Sequence, residues 1–120
     1  MAYIERKVDS LLEELLDSSG AVLIEGPKWC GKTTTAEQHA KSVIRLQNPD
    51  TREAYITTAK TKPSLLLKGE TPRLIDEWQL APKLWDAIRF EIDHRGSLGQ
   101  FVLTGSAVPP DTKDIAHSGT

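Results

Sequence analysis

Cysteine is almost missing from this chain: Cys30 stands alone among 120 residues. A single thiol excludes an internal disulfide and a zinc site of the Cys-x-x-Cys type, and it suits a reducing compartment. An excess of either charge is missing too. The chain carries 15 Lys and Arg against 17 Asp and Glu, a formal net charge of -2, which exerts no global pull on nucleic acid or acidic lipid. No apolar run approaches the roughly 20 residues of a membrane span. The opening Met1-Ala2-Tyr3-Ile4-Glu5-Arg6-Lys7 lacks the apolar segment of a secretion signal. Repeats and low-complexity stretches are absent as well. The expectation from these absences is a soluble, cytoplasmic protein. At 38% hydrophobic residues the composition is polar for a globular chain but above the disordered range. Its length suffices for one domain with one modest core.

What is present alternates between two periodicities. Ser10 to Leu16 reads as a short helix. Ser10 and Glu13 have capping-box spacing, Leu11, Leu12, Leu15 and Leu16 give it an apolar face, and Ser18-Ser19-Gly20 stops it. Ala21-Val22-Leu23-Ile24 is a continuous apolar run, the pattern of a strand buried on both faces. A loop from Gly26 to Gly31 leads into a helix from Lys32 to about Lys41, and Ser42 to Leu46 is a second strand. After the turn Asn48-Pro49-Asp50, Asp50 and Glu53 are placed to cap a helix reaching about Lys60. Pro63 to Leu67 is a short helical piece ended by Gly69. Arg73 to Asp76 is a third strand, and Pro82 opens a helix with Leu84, Trp85, Ile88 and Ile92 at helical spacing, closed by Gly96. Gln100 to Thr104 is a fourth strand. Strands alternating with helices predict parallel pairing in a layered α/β fold. From Val108 onward, with Pro109-Pro110 and no further apolar run, the expectation is a loose tail over residues 108–120.

Gly26-Pro27-Lys28-Trp29-Cys30-Gly31-Lys32-Thr33 matches G-x-x-x-x-G-K-[ST] in full. Chance gives this pattern in about one chain in a few hundred of this length, and here it also follows an apolar strand and opens a helix. The glycines let successive backbone N–H groups turn inward onto phosphate oxygens, and the amino end of the next helix adds partial positive charge. Lys32 can reach the terminal phosphates, and the Thr33 hydroxyl is a ligand for Mg²⁺. Thr34 either donates to an inner phosphate or lies on the helix surface. Inside the loop, Lys28 either adds positive potential or is solvated, Trp29 either covers the nucleotide or packs, and Cys30 is a small residue without a redox role.

A phosphate loop needs a partner that holds the metal and orients a water. Asp76, ending the third strand, is the candidate Mg²⁺ ligand, and Glu77 the candidate base that polarises the attacking water. Alone, an Asp-Glu pair in a chain with 27% charged residues is a poor signal; after a complete phosphate loop it is the best candidate. Thr104 ends the fourth strand, where open α/β sheets gather ligand-binding groups. It either touches the γ-phosphate or water, or simply begins the turn into Gly105-Ser106. The lysines and arginine at 60, 62, 68 and 73 form a basic stretch without interleaved aromatics, so a solvated face is preferred over nucleic-acid binding.

Three blocks, Gly26 to Thr34, Leu74-Ile75-Asp76-Glu77-Trp78-Gln79 and Val102-Leu103-Thr104-Gly105-Ser106-Ala107, together with Tyr3-Ile4-Glu5-Arg6-Lys7, resemble one group of prokaryotic AAA-type ATP-binding proteins. The resemblance implies ATP with Mg²⁺ and a three-layer α/β/α sandwich with strands in the spatial order first, fourth, third, second. Its functional stations fall on Lys32 and Thr33, on Asp76 and Glu77, and on Thr104. It also implies a longer protein with a poorly characterised second domain, and in some relatives a ring assembly. Two departures stand out. The fifth strand of such ATPases is expected to be missing, so that residues 1–107 form an incomplete core and the chain is a truncated front part. No arginine follows Arg95 to neutralise charge on the transferring phosphate, a factor on the order of 10³–10⁵ in rate. Two functions therefore compete: a Mg²⁺-dependent ATPase, and a nucleotide-binding module without useful turnover. A small-molecule kinase lacks support because no arginine-rich lid is present, and a GTPase because the guanine-reading N/T-K-x-D is absent.

Overall fold

The apolar runs become strands because side chains of both parities are apolar, so a sheet covered on both faces buries them all. In the computed structural model, which describes residues 7–25, 32–105 and 116–118, the elements run α1 (Lys7–Ser18), β1 (Ala21–Glu25), α2 (Lys32–His39), β2 (Ser42–Arg45), α3 (Arg52–Thr61), β3 (Arg73–Asp76), α4 (Leu84–Arg95), β4 (Phe101–Gly105) and β5 (Ala116–Ser118). Two 3-10 turns, Pro63–Leu67 and Trp78–Leu80, flank β3. All described pairings are parallel, and the sheet order is β2-β3-β4-β1-β5. The order expected for the first four strands is the order found.

Alternation along the strands sorts the interior into two cores. Ala21, Leu23, Ile44, Ile75, Phe101 and Leu103 face α3, α4 and both 3-10 turns, joining Ala59, Leu67, Trp78, Leu84, Trp85 and Ile88. Val22, Ile24, Leu74 and Val102 face the other way, onto Leu12 and Leu16 of α1 and Ala36 of α2. This is the α/β/α sandwich. Each fully buried Leu, Ile or Phe contributes about 1.5–3 kcal/mol of transfer free energy, so the two faces together specify which residues point where.

Five local expectations need correction. Ser10 does not cap α1, which is already helical from Lys7, so its side chain sits within the helix; Leu11 on the same helix is exposed rather than in the apolar face. Asp50 does not cap α3 either. That helix starts at Arg52 behind Thr51, while the Asp50 N–H donates to Asn48 Oδ1 at 3.0 Å, a turn in which the Asn side chain mimics backbone. Pro82 leads into α4 from two residues outside it, its carbonyl accepting the Trp85 N–H at 3.1 Å. The largest correction concerns the tail. Ala116–Ser118 is not loose but a fifth strand, parallel to β1 with Val22 opposite Ala116 and Ile24 opposite Ser118. The segment Ala116-His117-Ser118 carries no apolar run, and only the open edge of β1 makes it a strand.

Candidate functional site at the carboxyl end of the sheet

The strand register brings three separate sequence blocks together. Arg45 lies opposite Asp76, Ile75 opposite Leu103, and Ile24 opposite Thr104. Because Ile44, Ile75 and Leu103 point into the α3/α4 core, period-2 alternation puts Arg45, Asp76 and Thr104 on the opposite face, the one that carries α2. Helix α2 packs on β1, β3 and β4. The carboxyl end of β1 and the start of α2, between which residues 26–31 lie in sequence, are thus at the same end of the sheet as Asp76 and Thr104.

Asp76 and Thr104 are fully buried and Glu77 is only 3% exposed. A buried carboxylate is costly unless its oxygens are matched. Here Thr104 Oγ1 donates to Asp76 Oδ1 at 2.6 Å, and Gln47 Nε2 donates to Oδ2 at 3.2 Å. Arg45 Nη1 stands 4.0 Å from the same Oδ2 while its Nη2 holds Glu37 on α2 at 2.7 Å. The Thr104 hydroxyl has one hydrogen, given to Asp76, and a lone pair that accepts the Glu77 N–H at 3.1 Å. Thr104 therefore touches both acidic residues. Glu77 itself adopts the left-handed conformation, φ 61 and ψ 53, and its Oε2 accepts a hydrogen bond from Gln79 Nε2 at 2.5 Å.

Of the residues singled out from sequence, Asp76, Glu77 and Thr104 meet here. Gly26, Pro27, Lys28, Trp29, Cys30 and Gly31 lie outside the described residues, as do the side chains of Lys32 and Thr33, whose backbone opens α2. Thr34 is exposed on the first turn of α2. Three partners escaped sequence reading: Gln47, Arg45 and Gln79. A signal existed for the first two, since both follow or end a strand at the ligand-binding edge of an open sheet. Gln79 is part of the third strand's trailing block, with nothing in its spacing to say that it folds back.

Arg95 sits at the opposite pole. Its guanidinium binds Glu91 Oε2 at 2.9 Å, Gln100 Oε1 at 3.1 Å and the Leu67 carbonyl at 3.3 Å, and stacks 5.1 Å from the Phe101 ring centroid. Phe101 begins β4 and Gln100 immediately precedes it, whereas Thr104 is near its end. Arg73 is likewise structural, with Nε on the Leu66 carbonyl at 2.8 Å and Nη1 on Ser42 Oγ at 3.1 Å. Burial draws its pKa below the ordinary arginine value, and the neighbouring Tyr55 acts in the opposite direction.

Asp76 suits magnesium by its chemistry. Mg²⁺ is held by one or two carboxylates together with phosphate oxygens and waters rather than by an all-protein cage. A single carboxylate fixed from two sides is that kind of donor, and among the described residues no cluster of three His, Cys, Asp or Glu offers another site. Among the described residues, too, no helix is long and apolar enough to cross a membrane.

Comparison with known proteins shows the family. Two uncharacterised proteins, from Mycobacterium bovis and Mycobacterium tuberculosis, are each 30% identical to the chain over 110 residues, which is 91% of this chain. The chain spans only about a quarter of their length, 25% in each case. No solved structure gives a significant match. A family profile described as AAA domain matches residues 18–120, the stretch holding the phosphate-loop sequence, the acidic pair and the five described strands, and the chain therefore belongs to this family of nucleotide-binding, phosphate-loop domains.

Proposed function

We propose that the chain binds ATP with Mg²⁺ and hydrolyses it. Backbone N–H groups of Lys28 to Gly31 and the Lys32 ammonium hold the phosphates, Gly26 and Pro27 lead the chain into the loop, Thr33 and Asp76 hold the metal, and Glu77 takes a proton from the attacking water. Magnesium, when bound, neutralises charge on the phosphate oxygens. Thr104 positions the acidic pair, since its single hydroxyl hydrogen is already committed to Asp76. The observation that carries this reading is the convergence of Asp76, Glu77 and Thr104 on the α2 face at the carboxyl end of the sheet.

The engagement of Arg95 at the other pole favours a second reading, in which this chain alone binds nucleotide without useful turnover. The arginine would then come from another copy or from further protein, as the greater length of the mycobacterial relatives allows. A cytoplasmic location and a homo-oligomer belong to the same proposal.

Nucleotide binding and phosphate release measured on wild type, Lys32→Ala and Glu77→Gln test both readings. ATP affinity falls at least tenfold in Lys32→Ala, while Glu77→Gln binds normally and loses on the order of 10²-fold or more in phosphate release. Equal ATP affinity in wild type and Lys32→Ala overturns the phosphate-loop assignment. Phosphate release no faster in wild type than in Lys32→Ala selects the second reading.

A further inference from the structure

Glu77 is, among the described residues, the non-glycine residue with a positive φ. An L-residue adopts that conformation at an energetic cost, and at a candidate site it marks a side chain whose direction is constrained by its surroundings. The left-handed turn sends the next residue, Trp78, into the core, where it is 5% exposed and lies 4.9 Å from Trp85 between ring centroids. The 3-10 turn Trp78–Leu80 then folds back, closed by the Ala81 N–H on the Trp78 carbonyl at 2.9 Å. That fold returns the Gln79 amide to Glu77.

The other wall of this arrangement is Gly105, the last residue of β4. A Cβ at Gly105 would stand 2.6 Å from Trp78 Cδ1 and Nε1 and 2.7 Å from Gln79 Oε1. The missing side chain is thus what lets the turn press against the strand end. The Gln79 amide spans the gap, its oxygen side against the end of β4 and its nitrogen side on the Glu77 carboxylate. One residue earlier, Thr104 accepts the Glu77 N–H. Glu77 is therefore held twice, its backbone N–H by Thr104 of β4 and its carboxylate by Gln79 of the turn packed against the end of that strand. Glutamine is the side chain this geometry selects: asparagine is one methylene shorter, glutamate would set two carboxylates against each other, and methionine fills the space without a donor.

We infer that Gln79 is a positioning residue for Glu77, its amide fixing the rotamer of the carboxylate from the end of β4. The inference rests on the reading of Glu77 as base. It differs from a mere turn-stabilising role because it requires the effect of Gln79 to pass through Glu77.

The test uses the whole chain with Gln79→Met, Gln79→Glu, Glu77→Gln and the double variant Glu77→Gln/Gln79→Met. Three-bond NMR couplings about χ1 of Glu77 report its rotamer directly, with no need for turnover. Wild type gives the couplings of one rotamer, and Gln79→Met gives averaged ones. In phosphate release, Gln79→Met and Gln79→Glu lower kcat by roughly 10- to 100-fold, with KM for ATP within about twofold and the melting temperature little changed. The double variant is no slower than Glu77→Gln alone. Unaveraged Glu77 couplings in Gln79→Met overturn the inference. So does a Gln79→Met variant with wild-type kcat, or one whose kcat, ATP affinity and melting temperature fall together. If instead Glu77→Gln hydrolyses ATP like wild type, the base reading itself fails, whatever Gln79 does.

Discussion

Thr104 Oγ1 donates to Asp76 Oδ1 across 2.6 Å and accepts the Glu77 N–H at 3.1 Å, so one hydroxyl ties both acidic residues to the end of β4. Replacing it with valine keeps the volume and removes both bonds from groups that are 0% and 3% exposed. The expected loss is about 2–4 kcal/mol in urea denaturation, because a buried carboxylate and a buried N–H each lose a hydrogen bond. Thr104→Ser, which keeps the hydroxyl, recovers most of it. A Thr104→Val variant as stable as wild type would remove Thr104 from this role.

Gln47 is exposed yet reaches Asp76 Oδ2 at 3.2 Å. Water can replace it, so Gln47→Leu changes stability by no more than about 0.5 kcal/mol. On the proposed role of Asp76 as magnesium ligand, its effect falls on metal affinity. Partners that orient a metal-binding carboxylate commonly alter affinity by 10- to 100-fold, and this exposed one belongs near the low end, about tenfold. The Mg²⁺ midpoint of ATP binding, titrated in wild type and variant, measures it.

At Gly20 an added Cβ would lie 2.4 Å from Ile92 Cγ2 and 3.0 Å from Cγ1, where the end of α4 crosses the start of β1. Gly20→Ala is expected to cost about 1–3 kcal/mol by overpacking. The clash is with one side chain, so Ile92→Ala makes room for it. A double-mutant cycle then shows the pair less destabilised than the sum of the single changes. Strict additivity would mean that the strain lies in the backbone.

Arg95→Met separates stability from chemistry. The guanidinium bonds to Glu91, Gln100 and the Leu67 carbonyl and rests on Phe101. Losing these contacts costs about 1–3 kcal/mol. Any phosphate release, measured well below the melting temperature, stays within about twofold of wild type, since this residue stands at the amino end of β4. A drop of 10³-fold or more would instead assign it the charge-neutralising role.

Sequence patterns carried the architecture because the central strands β1 and β4 are buried on both faces. Ala21 to Ile24 and Phe101 to Leu103 are apolar at every position, and such runs fit few environments besides the middle of a covered sheet. Helix ends were less legible. Ser10 and Asp50 have capping chemistry, but the choice of first residue depends on how the preceding chain enters, and Asn48 takes the Asp50 N–H instead. The fifth strand was illegible for a stronger reason. Ala116 to Ser118 has no strand signal of its own, and becomes a strand by pairing with β1 across a large sequence separation.

The same division holds at the site. By itself the sequence determined the phosphate-loop pattern, because fixed residue types at fixed local spacing suit phosphate chemistry, and it offered Asp76, Glu77 and Thr104 as candidates at strand ends. Only tertiary structure decided their partners. Parallel register set Thr104 and Arg45 beside Asp76, the turn after β2 brought Gln47 to its second oxygen, and Gly105 made room for Gln79 at Glu77. Those contacts join residues on different strands and turns, and their distances depend on register, sheet twist and close packing, none of which local spacing encodes.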